Sequence, residues 1–118
     1  MASEQYIQQE IRAELGHGDV RLWRNNTGCL QDRQGRWVRF GLAKGSSDLI
    51  GIRRITITPD MVGQEVGIFC AVEVKSPTGK PTEEQRRFLS CVESMGGVAG
   101  VARSVDEAAQ ILRIRPPE

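Results

Sequence analysis

Histidine and cysteine are scarce in this chain, with one His and three Cys in 118 residues. Cys29, Cys70 and Cys91 show no paired spacing, which excludes a zinc knuckle and a disulfide framework and makes a reducing, cytosolic setting the default. Cys70 and Cys91 stand among apolar neighbours and read as small core residues. No Ser or Cys sits in a nucleophile elbow and no glycine loop of the Walker type is present, so the sequence offers no activated nucleophile. No apolar run approaches the roughly 18 to 20 residues of a membrane span, and no membrane partner is expected. The polar, acidic residues 1–5 carry no secretory signal. Hydrophobic residues at 39% and charged residues at 26% exclude a disordered chain. The length then fits one compact domain over residues 1–118, with a modest core.

The formal net charge of +1 hides an asymmetry. Residues 20–54 carry eight basic side chains against Asp32 and Asp48, a local excess of six positive charges. Phosphate binding draws on such a local field and not on the total, although a solvated hairpin face explains the same charges. Trp23 and Trp37 lie among these arginines and can stack on bases, while burial is the commoner fate of at least one of them.

Apolar periodicity and turn residues divide the chain into alternating elements. Ser3 caps a first helix with Ile7, Ile11 and Leu15 at spacing four, ended by Gly16 or Gly18. Residues 20–25 alternate as a half-buried strand, and residues 29–40 form a hairpin turning at Asp32-Arg33-Gln34-Gly35. Trp37 and Arg39 share one hairpin face, Val38 and Phe40 the other. Lys44-Gly45-Ser46-Ser47 reads as a flexible approach to a strand opening at Asp48, after which residues 53–58 continue extended and 59–67 form a loop or short turn. A buried strand ends at Lys75, and residues 76–81 are loop. Thr82-Glu83-Glu84-Gln85 is a capping box for a helix with Phe88, Leu89 and Val92 on its apolar face, stopped by Gly96-Gly97. Residues 98–102 form a short buried strand, Ser104 and Glu107 a second capping box, and residues 115–118 a tail. The order predicts α/β with a mixed central sheet flanked by helices.

The stretch with most chemical content is 68–75, an apolar run ending in Glu73-Val74-Lys75. Strand side chains alternate faces, so Glu73 and Lys75 point the same way. Charges at the mouth of a buried element are paired, bound to a metal, or used in chemistry. Asp48 lies far enough upstream to return on a neighbouring strand. Asp48 and Glu73, with a main-chain carbonyl near Val74, offer hard oxygen ligands that suit Mg²⁺ or Mn²⁺ with waters and phosphate oxygens completing the shell. Such an ion polarises a phosphoryl oxygen and activates water, and Lys75 on the same face can orient that water.

Those residues resemble the PD-(D/E)XK nuclease superfamily. Gly45-Ser46-Ser47-Asp48-Leu49-Ile50-Gly51, Ala71-Val72-Glu73-Val74-Lys75, Gly79-Lys80-Pro81-Thr82 through Gln85, Phe88-Leu89 and Gly96-Gly97 resemble, in that order, the VRR-NUC domain, the virus-type replication-repair nuclease. The resemblance implies a restriction-endonuclease-like core and an Mg²⁺- or Mn²⁺-dependent endonuclease, with Asp48, Glu73 and the Val74 carbonyl as metal ligands and Lys75 as the catalytic lysine. It also implies catalytic roles for Gln85 and, on the first helix, Glu10. Ser47 stands where the family often has proline, which bears on strand geometry alone. Stand-alone members of this size resemble Holliday-junction resolvases, which implies a homodimer on branched DNA, the four-way junction foremost, in the cytoplasm of a bacterial or phage-infected cell.

Each of these residues has a plainer reading. Glu73 and Lys75 make a structural ion pair, Asp48 initiates a strand, Gln85 completes a capping box, and Glu10 is a polar helix position beside an apolar stripe. Asn25 and Asn26 are turn residues or phosphate contacts, His17 an exposed loop residue, and Lys44 and Lys80 solvated charges or phosphate contacts. A nucleic-acid-binding module without turnover and a protein-interaction domain are the competing functions. A flap or nick nuclease is the competing substrate class.

Overall fold

A computed structural model describes residues 2–113, so the expected tail at 115–118 lies outside the described residues. The chain forms two compact units, Met1–Arg53 and Arg54–Glu118. Three α-helices and six strands make a mixed α/β architecture among the described residues.

The first unit opens with helix α1, Glu4–Leu15, whose start the Ser3 hydroxyl fixes by accepting from the Tyr6 N–H at 3.1 Å. Glu4 in its first turn and Arg12 in its last complement the helix dipole. The Ile7, Ile11 and Leu15 stripe follows the predicted spacing but remains exposed. Strand β1, Val20–Arg24, pairs antiparallel with β4, Leu49–Arg53, and Leu22 stands opposite Gly51. A side chain at Gly51 would bring its Cβ to 2.0 Å from the Arg21 carbonyl oxygen, so glycine is what lets these strands approach.

Between them, β2, Gly28–Gln31, and β3, Trp37–Phe40, form the predicted hairpin. Trp37 is exposed and Trp23 is half-buried. Asp32 organises the turn, its carboxylate accepting from the Gln34 N–H, the Arg36 N–H and the Arg36 Nε–H, at 2.9, 2.9 and 2.8 Å. The backbone hydrogen bond from Arg36 is the largest influence holding the Asp32 carboxyl below its ordinary 3.8, and burial opposes it. A depressed folded pKa contributes stability that is full above 3.8 and lost as pH falls through the folded value. In NMR titrations the Gln34 and Arg36 amide signals are therefore expected to move with a midpoint below pH 3.8, and Asp32→Asn to remove that movement.

The second unit is a strand-helix-strand crossover followed by a helix. Strand β5, Cys70–Val74, pairs in parallel with β6, Val98–Ala102, and α2, Glu83–Ser94, connects them. Thr82 and Gln85 form the complete capping box that the sequence predicts. At the other end Gly96, at φ +89°, and Gly97 close a Schellman motif, with their N–H groups on the carbonyls of Glu93 and Val92. Helix α3, Val105–Leu112, starts at Ser104, whose hydroxyl accepts from the Glu107 N–H. The Glu107 carboxylate reaches the Arg103 N–H at 2.6 Å, one residue ahead of the predicted box. Leu89, Val92, Met95, Val98, Ala102 and Ala109 form the core of this unit.

Two expectations are corrected, the single central sheet and the burial of β5 and the cysteines. The strands make three two-stranded ladders among the described residues, and the partners of β4 and β5 are β1 and β6. The α2 crossover is a short parallel return that gives β5 its partner within the unit. Cys70 and Val74, at the two ends of β5, are exposed and Cys91 on α2 is only half-buried, so the strand read as buried is covered only over its middle. Residues 54–58 have no regular structure, and one 3₁₀ turn, Pro59–Met61, follows them. Among the described residues no helix is long and apolar enough to cross a membrane.

Candidate active site

At the carboxyl end of β5, Glu73 and Lys75 share one face as their spacing requires, with Lys75 Nζ 3.5 Å from Glu73 Oε2. Both side chains are half-buried, at 27% and 21% exposure, while Val74 between them points away and is exposed. The separation is long for an ion pair. Arg36–Asp32 and Arg87–Glu83 close to 2.8 and 2.7 Å on the same chain, the range of a charge-assisted hydrogen bond. The Lys75 N–H donates to the Ala102 carbonyl at 3.1 Å, which continues the β5–β6 ladder past Val74 and fixes the backbone under the amine.

The loop after Lys75 is held from β6. Arg103, the residue following that strand, donates from Nη2 to the Gly79 carbonyl at 2.8 Å, and Ser76 closes a turn onto the Gly79 N–H. The sequence carries no motif that singles out Arg103. Gln85 is half-buried, and its Oε1 accepts from the Thr82 N–H at 2.9 Å. The capping box thus engages its carbonyl oxygen and not its Nε2.

Asp48 belongs to the first unit, exposed and immediately ahead of β4, and its carbonyl accepts from the Asn25 N–H at 2.8 Å. The approach to it, read from the sequence as flexible, is tied by hydrogen bonds. Ser46 closes a turn by donating from N–H and hydroxyl to the Ala43 carbonyl, at 3.0 and 2.6 Å. Asn25 grips the same segment with its side-chain amide, a role legible only once strand β1 has been laid beside the loop. Glu10 is exposed in the middle of α1, and His17, exposed past its end, rests on the Glu14 carbonyl. Lys44 lines a groove of about 340 Å³ with Arg39 and Phe40, and Lys80 is exposed.

The predicted constellation is therefore distributed, Asp48 and Glu10 in one unit, Glu73, Lys75 and Gln85 in the other. Within neither unit do three or more His, Cys, Asp or Glu side chains gather as a metal group among the described residues.

The family model of the VRR-NUC domain matches residues 2–106. The chain belongs to the VRR-NUC family. No curated protein and no solved structure shows a significant match. VRR-NUC is a nuclease domain, which makes this protein a hydrolase of the nuclease type with DNA as the substrate class. Nuclease domains of this kind usually work with divalent metal ions. The residue types suit such an ion: Asp48 in the first unit and Glu73 in the second each carry hard carboxylate oxygens, and the Lys75 amine stands beside Glu73 at 3.5 Å without a tight hydrogen bond to displace.

Proposed function

We propose that this VRR-NUC protein is an Mg²⁺- or Mn²⁺-dependent endonuclease that cuts branched DNA as a homodimer, with the four-way junction as preferred substrate. Residues 1–118 are read as one domain with a restriction-endonuclease-like core. The observation that supports the reading most directly is the Glu73–Lys75 pair, on one face at the end of a parallel strand, inside a chain matched to a nuclease family from residue 2 to 106.

In this reading Asp48, Glu73 and the Val74 carbonyl would hold the ion, and a bound ion would supply polarisation of the scissile phosphate and a more acidic water. Lys75 orients the attacking water and offsets charge developing on the phosphate. Gln85 keeps its capping role while its free amide end faces the substrate, and Glu10 assists from α1. The basic excess of residues 20–54 supplies the field that draws the DNA backbone. A two-fold dimer presents two sites to two strands, as paired cleavage of a junction requires.

A cleavage panel of four-way junction, flap, nicked and linear duplex DNA, run with Mg²⁺, Mn²⁺ and EDTA, tests this. Cutting of the junction in either metal and none in EDTA is expected, with a dimer mass by light scattering. Equal cutting of linear duplex would remove the structure selectivity, and salt-sensitive binding without cutting would leave a binding module.

A further inference from the structure

We propose that Asn25 is a positioning residue for Asp48, setting the direction in which its carboxylate leaves the backbone. The proposal rests on the reading of Asp48 as a metal ligand. Strand β1 ends at Arg24, yet its ladder with β4 runs one step further, because the Asn25 N–H donates to the Asp48 carbonyl at 2.8 Å. The Asn25 side chain, half-buried, then turns onto the loop that leads to Asp48. Its Nδ2 donates to the Ser47 carbonyl at 3.0 Å and to the Ser46 hydroxyl at 2.6 Å, and its Oδ1 accepts from the Leu42 N–H at 3.1 Å.

The orientation of the amide follows from its partners. A carbonyl only accepts and a peptide N–H only donates, so Nδ2 must face Ser47 and Oδ1 must face Leu42. Both amide hydrogens are committed, which leaves Asn25 no donor for a DNA phosphate and corrects that reading of it. The Ser46 hydroxyl passes the restraint on by donating to the Ala43 carbonyl, so residues 42–47 are held at both ends and in the middle.

The consequence for Asp48 is specific. The peptide plane before it contains the Ser47 carbonyl, and the plane after it contains its own carbonyl. Asn25 holds the first with its side chain and the second with its backbone. With both flanking planes fixed, φ and ψ of Asp48 are fixed, and so is the Cα–Cβ vector that aims the carboxylate. An exposed aspartate preceded by a serine turn otherwise has no such definition.

The test measures Mn²⁺ binding by calorimetry and the Mn²⁺ concentration for half-maximal junction cleavage, on full-length wild type, Asn25→Ala, Ser46→Ala and Gln64→Ala, each checked by circular dichroism. Outer partners of metal ligands are worth about 10- to 100-fold in affinity, so Asn25→Ala is expected to weaken Mn²⁺ binding by about tenfold, with cleavage recovering at high Mn²⁺. Ser46→Ala loses one of the amide's partners and is expected to move the same way by less, while Gln64→Ala, at an exposed position in the second unit, stays at the wild-type value. A folded Asn25→Ala with wild-type Mn²⁺ affinity overturns the proposal, and if that variant does not fold, an unmoved Ser46→Ala does so. Wild type that neither binds Mn²⁺ nor cleaves overturns the functional reading and this proposal with it, whereas an active wild type beside an unaffected Asn25→Ala overturns the proposal alone.

Discussion

Lys75→Ala is expected to slow junction cleavage by about 10³-fold or more, because positioned general acid-base and charge-stabilising groups contribute about 10²- to 10⁴-fold each. Structure alone does not account for a loss of that size. The Glu73–Lys75 pair sits at 3.5 Å with both groups partly in solvent, and pairs of that kind contribute about 0 to 1 kcal/mol to stability. A thousandfold rate loss corresponds to about 4 kcal/mol of transition-state stabilisation. Catalysis and ion pairing therefore predict different outcomes from one substitution. If the pair is structural, Lys75→Ala shifts the melting temperature slightly and leaves turnover within a few-fold of wild type. If it is catalytic, turnover disappears while the melting curve and DNA binding stay close to wild type. Glu73→Gln separates the two further. It removes a negative charge from a surface that meets phosphate, so DNA affinity without metal is expected to hold or rise while cleavage and Mn²⁺ binding fall. Single-turnover cleavage beside a binding titration in EDTA reads both quantities, and full activity in either variant would end the nuclease assignment of these residues.

That pair was readable from spacing alone, since two positions apart on a strand means one face whatever the rest of the fold does. The helix boundaries were readable for a similar reason. Ser3, the Thr82–Gln85 box and the Gly96–Gly97 stop act within a few residues of themselves, and each is found in its expected place. The second box slipped because Glu107 can reach either of two adjacent N–H groups, and sequence does not choose between Ser104 and Arg103. Burial was less legible. The run ending at Lys75 is as apolar as a central strand, but apolarity does not say how far the packing over a strand extends, and Val74 and Cys70 at its ends remain exposed. Asn25 was the hardest to read, because its partners lie 17 to 22 residues away and an asparagine at a strand end resembles any turn residue. Two adjacent serines before an aspartate, facing an asparagine that ends a strand, are the signal that would have marked it.

Gly51→Ala carries the largest expected loss of stability, and propensity predicts the opposite sign. A glycine inside a regular element costs about 0.5 to 1 kcal/mol relative to alanine, so an unobstructed substitution would stabilise. Here the new methyl carbon would stand 2.0 Å from the Arg21 carbonyl oxygen and 2.8 Å from Leu22 Cδ2. The leucine methyl can swing aside. The carbonyl cannot, because it belongs to β1, the strand that β4 is paired with. Relief requires β1 and β4 to separate, and forcing atoms into a packed site costs about 1 to 3 kcal/mol, occasionally more. Sterics therefore outweigh propensity, and chemical denaturation is expected to show a net loss of about 2 kcal/mol or more. The loss should extend beyond stability. Asn25 and Asp48 form the step that follows Arg24 and Leu49 in the same ladder, so displacing β4 moves the residue that the Asn25 clamp exists to aim. Mn²⁺ affinity and cleavage are expected to fall with stability in Gly51→Ala, whereas Gly67→Ala, whose methyl meets nothing within 4 Å, is expected to change neither. A Gly51→Ala protein that denatures like wild type would show that β1 and β4 do not need their close approach, and Asp48 would then require some other anchor.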